Sequence, residues 1–202
     1  MGLVELLQSE TIDCQQIDAH LEALGHTERV AQTRALPGKL FKPLFDAVAG
    51  HRKLAVEDLV PANSARFAVV PFWGINNMPA FRRFQKPLYR TAEGQVGGRN
   101  VQTWQALTGP GYFTVTPGKQ GEVIFDYVNL PTQAPQGWPR IKSNARGLSN
   151  FVFRGLIDIV RAVSEHVVIG EATRDGKPLG QYFILVREDV HRAQEPLERA
   201  AN

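Results

Sequence analysis

The chain has 202 residues, of which 43% are hydrophobic, and a formal net charge of +3. This length suits one domain with an extension, and the hydrophobic fraction is enough for a core that needs no disulfide or metal. The basic residues are scattered, whereas a nucleic-acid-binding surface needs a run or stripe of Lys and Arg. We therefore do not expect nucleic acid as a partner.

Several other protein classes are excluded by what the sequence lacks. No apolar segment is long enough to cross a bilayer, so no membrane span is predicted. The first residues carry an acid, Glu5, where a signal peptide carries bases, and this favours a cytoplasmic protein. Cys14 is the only cysteine, and no Cys/His spacing is typical of zinc. Motifs for nucleotides and calcium are missing too, so we predict no metal and no cofactor.

The first sixty residues have the periodicity of helices. Apolar residues three and four apart predict a helix that ends at Gly25, a second over 27–34, and a third that ends at Gly50 and is interrupted by Pro43. We predict two to three helices within residues 1–60, packed on the domain that follows.

After Pro61 the apolar period changes from helical to extended. The sequence predicts turns at 97–100 and at Asp175-Gly176, the second being a strong hairpin signal. Residues 130–148 form a long connection rich in proline, which predicts either a lid over a site or an ordered wrap. The strands are predicted at 66–72, 84–89, 101–104, 112–115, 122–128, 151–163, 167–173 and 181–187.

Seven or so antiparallel strands in meander order predict a sheet that curls to hide its edges. The predicted fold class is mainly β (α+β): an antiparallel meander closing into a barrel or half-barrel over residues 61–190, with a charged tail at 191–202. The alternation at 122–128 places Val123, Phe125 and Tyr127 on one face, which should be buried.

Two strings of aromatic and turn-forming residues are candidate ligand contacts. Gly109-Pro110-Gly111 would let the backbone approach a ligand lined by the two rings that follow, or would be a plain turn into a core strand. Residues 73–79 would place an amide at a barrel mouth, or would be ordinary turn chemistry. The predicted ligand-binding residues are Trp73, Asn76, Trp104, Tyr112, Phe113, Tyr127 and Arg154.

A few charged residues are candidates for acid–base chemistry. Arg154 and Asp158 share a face of the predicted strand 151–163 and would pair inside a barrel, unless they face solvent. His166 follows Glu165 at a predicted hairpin tip, where a surface pair is the simpler interpretation. Asp126, like Arg154 and Asp158, would either point into the barrel or face solvent.

The C-terminal third has a characteristic order of aromatic, arginine and glycine positions, in residues 122–127, 153–154, 167–172 and 182–187. In this order it resembles the end of bacterial lipocalin-like domains of the GXWXG type, so the predicted barrel or half-barrel would be lipocalin-like. The Gly-X-Trp-X-Gly motif itself is absent, and the order Asp126-Tyr127 is reversed. The resemblance implies an antiparallel barrel and, because such folds host unrelated activities, no particular function.

The leading hypothesis is a calycin-like barrel that binds an apolar or aromatic small molecule or lipid, in a cavity of several hundred Å3. A competing hypothesis is a cofactor-independent enzyme, an isomerase or cyclase, whose acid–base groups converge inside the barrel. The same pattern is also compatible with a protein or RNA interaction domain, and with a barrel whose interior is fully packed.

Overall fold

The computed structural model describes residues 2–102, 109–142 and 153–189. Within these ranges the helices are α1 (Leu3–Leu7), α2 (Cys14–Glu22), α3 (His26–Arg34), α4 (Phe41–Ala47, after a 3-10 turn at Gly38–Leu40) and α5 (Val56–Leu59). The strands are β1 (Val69–Val70), β2 (Phe72–Asn76), β3 (Arg83–Gln85), β4 (Leu88–Arg90), β5 (Val96–Arg99), β6 (Tyr112–Pro117), β7 (Val123–Asp126), β8 (Leu156–Ala162), β9 (Val167–Arg174) and β10 (Lys177–Arg187).

The ten strands form one antiparallel sheet, which curls into a half-barrel. From β4 to β10 each strand pairs with the next along the chain, and β10 then pairs with β2. The predicted β6–β7 and β9–β10 hairpins are present and antiparallel. The predicted class, a mainly β meander curling into a barrel or half-barrel, is confirmed.

The two ends of this sheet are joined through residues 83–90. Strands β1 and β2 form one interrupted strand, because Val70↔Leu88 and Trp73↔Gln85 belong to the same register. Gln85 also forms a bridge with Val101, which continues the β4–β5 pairing beyond β5. Segment 83–90 is therefore hydrogen-bonded on both sides, and Pro87 lies between its two strands, where no ladder donor is required.

The N-terminal helices pack on the outside of the sheet. Helices α1–α4 bury their apolar faces against the outer side of β2, β9 and β10, in a cluster that includes Ile75, Ile169 and Ile184. Asp13 caps α2 by accepting a hydrogen bond from the Gln16 amide. Pro43 lies in the first turn of α4, a position where its missing N–H costs nothing.

Helix α5 closes one end of the half-barrel. The buried cluster formed by the inward-facing side chains of the strands also includes residues of α5 and its flanks, namely Leu54, Val56, Leu59 and Val60. Val123, Phe125 and Tyr127 lie in that cluster with exposures of 0%, 0% and 2%, as the alternation of 122–128 predicted.

Two strand or loop predictions need correction, and for a third the structure decides between the two alternatives. Strand β8 begins at Leu156 rather than at 151, because Gly155 has a φ of +65° that interrupts the extended backbone. Residues 97–100, predicted as a turn, lie mostly in β5. Residues 130–142 wrap the outer face of the sheet, where Trp138 packs on Tyr89 and Tyr112, so this described part is a wrap and not a lid.

Among the described residues, no helix is long and apolar enough to span a membrane. The predicted tail at 191–202 lies outside the described residues.

Candidate functional site

A lysine lies inside the half-barrel. The segment that joins the two sheet ends has every second side chain on its inner side. These inward side chains are Phe84, Lys86 and Leu88. Lys86 is only 3% exposed, although lysine is almost never buried without a partner. An interior ammonium therefore requires polar neighbours.

Two residues across the interior supply them. The Lys86 Nζ donates to Asp158 Oδ2 and to the Tyr127 hydroxyl, each at 2.7 Å. Asp158 reaches inward because it is in phase with Leu156 and Val160 on β8, and it is 2% exposed. Asn100 holds the Tyr127 hydroxyl from the other side at 3.2 Å. The polar groups form one connected, buried network.

Aromatic rings surround this network. The Phe183 centroid lies 4.2 Å from the Lys86 Nζ, and those of Phe113 and Phe125 lie at 5.1 and 5.2 Å. Ring faces at these distances attract a cation, and they also exclude water. Tyr127 itself stacks on Phe153 with ring centroids 5.3 Å apart.

Glycines make room for these rings. Gly98 is paired directly with Phe113, and Gly170 with Phe183. A Cβ at Gly98 would lie 2.6 Å from the Phe113 ring, and one at Gly170 would lie 2.2 Å from the Phe183 ring. Side chains at these two positions would displace the rings that enclose Lys86. Glycine is thus required here for close packing rather than for a turn.

Burial and pairing set the ionisation of the network. Burial lowers the pKa of Lys86, against the opposing effect of Asp158. Burial raises the pKa of Asp158, although Lys86 and Tyr127 act in the opposite direction. Burial also raises the pKa of the Tyr127 hydroxyl well above its usual value, and the Asp158 charge adds to this. All three shifts favour the neutral form of each group.

A pocket opens onto this network from the end of the half-barrel opposite α5. Its volume is about 130 Å3, close to the ~150 Å3 engineered cavity that holds benzene. It is smaller than the several hundred Å3 expected from the sequence, because inward rings fill much of the interior. Its described lining is Asn76, Met78, Phe84, Lys86, Asn100, Gln102, Tyr127, Phe153, Leu156, Asp158, Ala172, Gln181, Tyr182 and Phe183.

The predicted ligand-binding residues divide between the two faces of the sheet. Asn76 and Tyr127 line the pocket, and Phe113 packs behind it against the Lys86 ammonium. Trp73 and Tyr112 point outward, since they alternate with the inward Phe72 and Phe113. On the outside, Trp73 is covered by Arg34, with 5.3 Å between the guanidinium and the ring centroid, and Tyr112 donates to the Pro139 carbonyl.

Arg154 does not line the pocket. Arg154 is exposed and precedes β8, so the strand phase that would have paired it with Asp158 does not apply. Trp104 lies outside the described residues.

Of the acid–base candidates, Asp158 alone lies at the pocket. Asp126 accepts hydrogen bonds from the backbone amides of Val128 and Asn129, which makes it a turn residue. His166 contacts Glu22 of α2 at 3.0 Å on the outer side of the sheet.

One group among the described residues has the spacing to hold a metal ion. Ligand atoms of Glu22, Glu165 and His166 lie within 4.8 Å of one another. His166 and Glu22 already form a hydrogen bond with each other, and exposed acidic groups of this kind need no bound ion.

The sequence analysis missed Lys86, although a signal was present. Lys86 stands in the apolar phase of an alternating strand, between Phe84 and Leu88. The neighbouring Pro87 obscures this signal, because a proline is typical of an edge strand, where a lysine normally faces solvent.

The network offers an amine, a carboxyl and a phenol within hydrogen-bonding distance of one another. Lysine has three N–H donors, and within the described ranges two of them are used by Asp158 and Tyr127. The third N–H is available to an acceptor that enters the pocket. Comparison with known proteins adds no constraint, since no family model, no curated protein and no solved structure matches this chain.

Proposed function

We propose that the half-barrel binds a small, largely apolar molecule with one neutral oxygen acceptor. The observation that carries this proposal is Lys86, a buried lysine at the inner end of a pocket whose walls include five aromatic rings. The apolar body of the ligand packs against the rings, and its oxygen accepts from Lys86.

The volume limits the apolar body. A pocket of about 130 Å3 accommodates one six-membered ring or a short chain, judged by the ~150 Å3 cavity that takes benzene. Phe84, Phe153 and Phe183 supply flat apolar walls, which favour an aromatic or planar body. Long-chain lipids exceed this space.

The charge balance limits the polar end. Lys86 and Asp158 together carry no net charge, whether the shared proton is on the amine or on the carboxyl. A ligand carboxylate would bring an uncompensated negative charge into a desolvated site, at a large cost in free energy. A carbonyl or hydroxyl oxygen adds a hydrogen bond without adding charge, and this is the group we propose.

Binding is better supported than the acid–base enzyme considered from the sequence. That enzyme required at least two of Asp126, Arg154, Asp158 and His166 to converge, and Asp158 is the one of these four in the pocket lining. The polar side chains at the pocket mouth, Asn76 and Gln181, are amides that orient a ligand without exchanging protons.

The test is calorimetric titration with three probes that share one ring: benzyl alcohol, benzoate and toluene. Benzyl alcohol should bind at one site per chain, and benzoate at least about tenfold more weakly, because its charge is desolvated without a partner. Toluene should also bind more weakly than benzyl alcohol, since it leaves the Lys86 N–H without an acceptor.

A pocket-filling variant locates the binding. Ala172→Phe places a ring in the pocket and should abolish binding of all three probes, because Ala172 is part of the lining. Leu179→Phe makes a similar apolar enlargement at a position that is 37% exposed, and should leave binding unchanged. Benzoate binding as tightly as benzyl alcohol, or binding that survives Ala172→Phe, would contradict the proposal.

A further inference from the structure

The environment of Lys86 differs from that of every other lysine in the chain. The sequence has seven lysines, all within the described ranges. Six of them are exposed, whereas Lys86 lies among aromatic rings with a carboxyl oxygen and a phenol oxygen at 2.7 Å from its Nζ. A lysine becomes a nucleophile when a desolvated site favours the neutral amine and a neighbouring base takes its proton.

From this geometry we propose that Lys86 forms a covalent imine with an aldehyde or ketone held in the pocket. The inference rests on the proposed binding of a neutral oxygen acceptor and specifies that acceptor as a carbonyl. Lys86 is the reacting group, and Asp158 accepts and returns the proton. The Tyr127 hydroxyl donates to Asn100 Oδ1 at 3.3 Å and relays a proton to the carbonyl oxygen once that oxygen is bound.

The first half of the reaction forms the carbon–nitrogen bond. The Lys86 ammonium passes one proton to Asp158 Oδ2, across the 2.7 Å hydrogen bond that already joins them. The amine lone pair then attacks the carbonyl carbon, and the C=O π pair moves to the oxygen. A proton shifts from nitrogen to that oxygen through the Tyr127 hydroxyl, and the product is a neutral carbinolamine.

The second half expels water. Protonated Asp158 donates its proton to the carbinolamine hydroxyl, the C–O bond breaks, and the nitrogen lone pair forms the C=N bond. The products are a protonated imine on Lys86, one water molecule and the Asp158 carboxylate. Charge is conserved, because one cation and one anion face each other before and after the reaction, and no other reactant is required.

The pKa directions agree with this sequence of steps. Burial lowers the pKa of Lys86 and raises that of Asp158, so both shifts assist the first proton transfer. The enclosing rings provide the apolar surroundings in which a protonated imine paired with a carboxylate is retained.

The experiment is reductive trapping on the full chain with benzaldehyde as the probe. The protein is incubated with an equimolar amount of benzaldehyde and sodium cyanoborohydride, and intact mass spectrometry then measures benzyl addition. Peptide mapping assigns the modified lysine without use of any variant. We expect Lys86 to carry most of the label, at least about tenfold more than any exposed lysine, as general acid–base assistance commonly supplies at least that factor.

Two matched variants refine the result. Lys86→Met keeps the length and apolar volume of the side chain and should remove the label, whereas Lys119→Met makes the same change at an exposed position and should leave it. Tyr127→Phe keeps the ring that stacks on Phe153 and should slow labelling without moving it to another lysine.

The outcomes separate this inference from the proposed function. Label concentrated on Lys86 supports the imine. Label spread evenly over the exposed lysines, in a protein that still binds benzyl alcohol, overturns the imine and leaves the binding proposal in place. Absence of both Lys86 labelling and benzyl alcohol binding overturns both proposals.

Discussion

The buried Lys86–Asp158 pair leads to a strong prediction about stability. Lys86→Met removes the ammonium and leaves Asp158, 2% exposed, without its cation. Asp158 can avoid a buried charge by taking up a proton. At pH 7 this costs about 4 kcal/mol relative to its usual pKa of 3.8, because each pH unit is worth about 1.4 kcal/mol. The estimate agrees with the ~3–5 kcal/mol found when one partner of a buried ion pair is removed.

The reverse variant should behave similarly. Asp158→Leu leaves a buried Lys86, whose release of a proton at pH 7 costs about 5 kcal/mol relative to its usual pKa of 10.5. The double variant Lys86→Met/Asp158→Leu removes both charges and refills the space with apolar groups. It should therefore be within about 2 kcal/mol of the wild type, as for other buried pairs replaced together.

The assay is urea unfolding at 25 °C of the wild type, the two single variants and the double variant. Lys42→Met is the control, because Lys42 pairs with Asp46 at 2.6 Å but both side chains are more than half exposed. It should cost less than about 1 kcal/mol. Additive single effects, or a loss below about 1 kcal/mol for Lys86→Met at pH 7, would refute the desolvation argument.

The pH dependence of Lys86→Met gives a further check with a definite sign. The pKa of Asp158 is raised in the folded protein, and removal of the Lys86 charge raises it further. A carboxyl with a raised folded pKa stabilises the fold at pH values below 3.8 and loses that contribution as the pH rises. The destabilisation by Lys86→Met should therefore be small near pH 4 and should grow towards pH 7.

Three other predictions concern the surroundings of the site. Gly170→Ala would place a Cβ 2.2 Å from the Phe183 ring and should destabilise the fold by about 1–3 kcal/mol in urea unfolding. Gly25→Ala would meet no atom within 4 Å and should cost less than about 1 kcal/mol, which reflects only the poorer N-cap of α3. Equal losses would refute the packing argument. Trp138→Ala should speed proteolysis within 130–142, because its ring is T-shaped against Tyr89 and fixes the wrap; an unchanged cleavage rate would contradict this. Burial raises the pKa of Glu22, but hydrogen bonds with Ser164 and His166 and the His166 charge outweigh it, so the pKa is lowered. The free energy of unfolding of wild type should therefore exceed that of Glu22→Gln above pH 4.5, and the difference should shrink below that pH. A difference that grows in acid would refute this prediction.

The sequence predicted the fold well because the alternation of strand residues is a local property. Alternation within a single strand predicts which side chains share the buried face, as it does for Val123, Phe125 and Tyr127. The hairpin at Asp175-Gly176 is likewise encoded by its own turn chemistry. The helix ends were less predictable, since α2 ends at Glu22 and α4 at Ala47, each three residues before the glycine predicted to end it.

The site was less predictable because it depends on contacts between distant residues. Lys86 and Asp158 are 72 residues apart in the sequence, and nothing local shows that they meet. Gly98 illustrates the same limit. In isolation Gly97-Gly98 predicts a turn, but in the fold these residues lie in β5, where the absence of a Cβ at Gly98 leaves room for the ring of the paired Phe113. Trp73 and Tyr112 were chosen for their aromatic character, but strand phase relative to their neighbours put them on the outer face.

The pairing of β10 with β2 has a consequence for how the chain folds. The hairpins from β6 onward can form early where the connecting turns are short, whereas the contacts that join β10 to the region of β2 link residues 105 and 115 positions apart. Contacts of such long range are slow to form, because the entropy of closing the intervening loop must be overcome first. Until β10 docks on β2, these two strands present unpaired edges to other chains. We expect refolding to be limited by this docking step. Truncation before Lys177 removes β10, so β2 and β9 should keep unpaired edges through which the shortened chains associate.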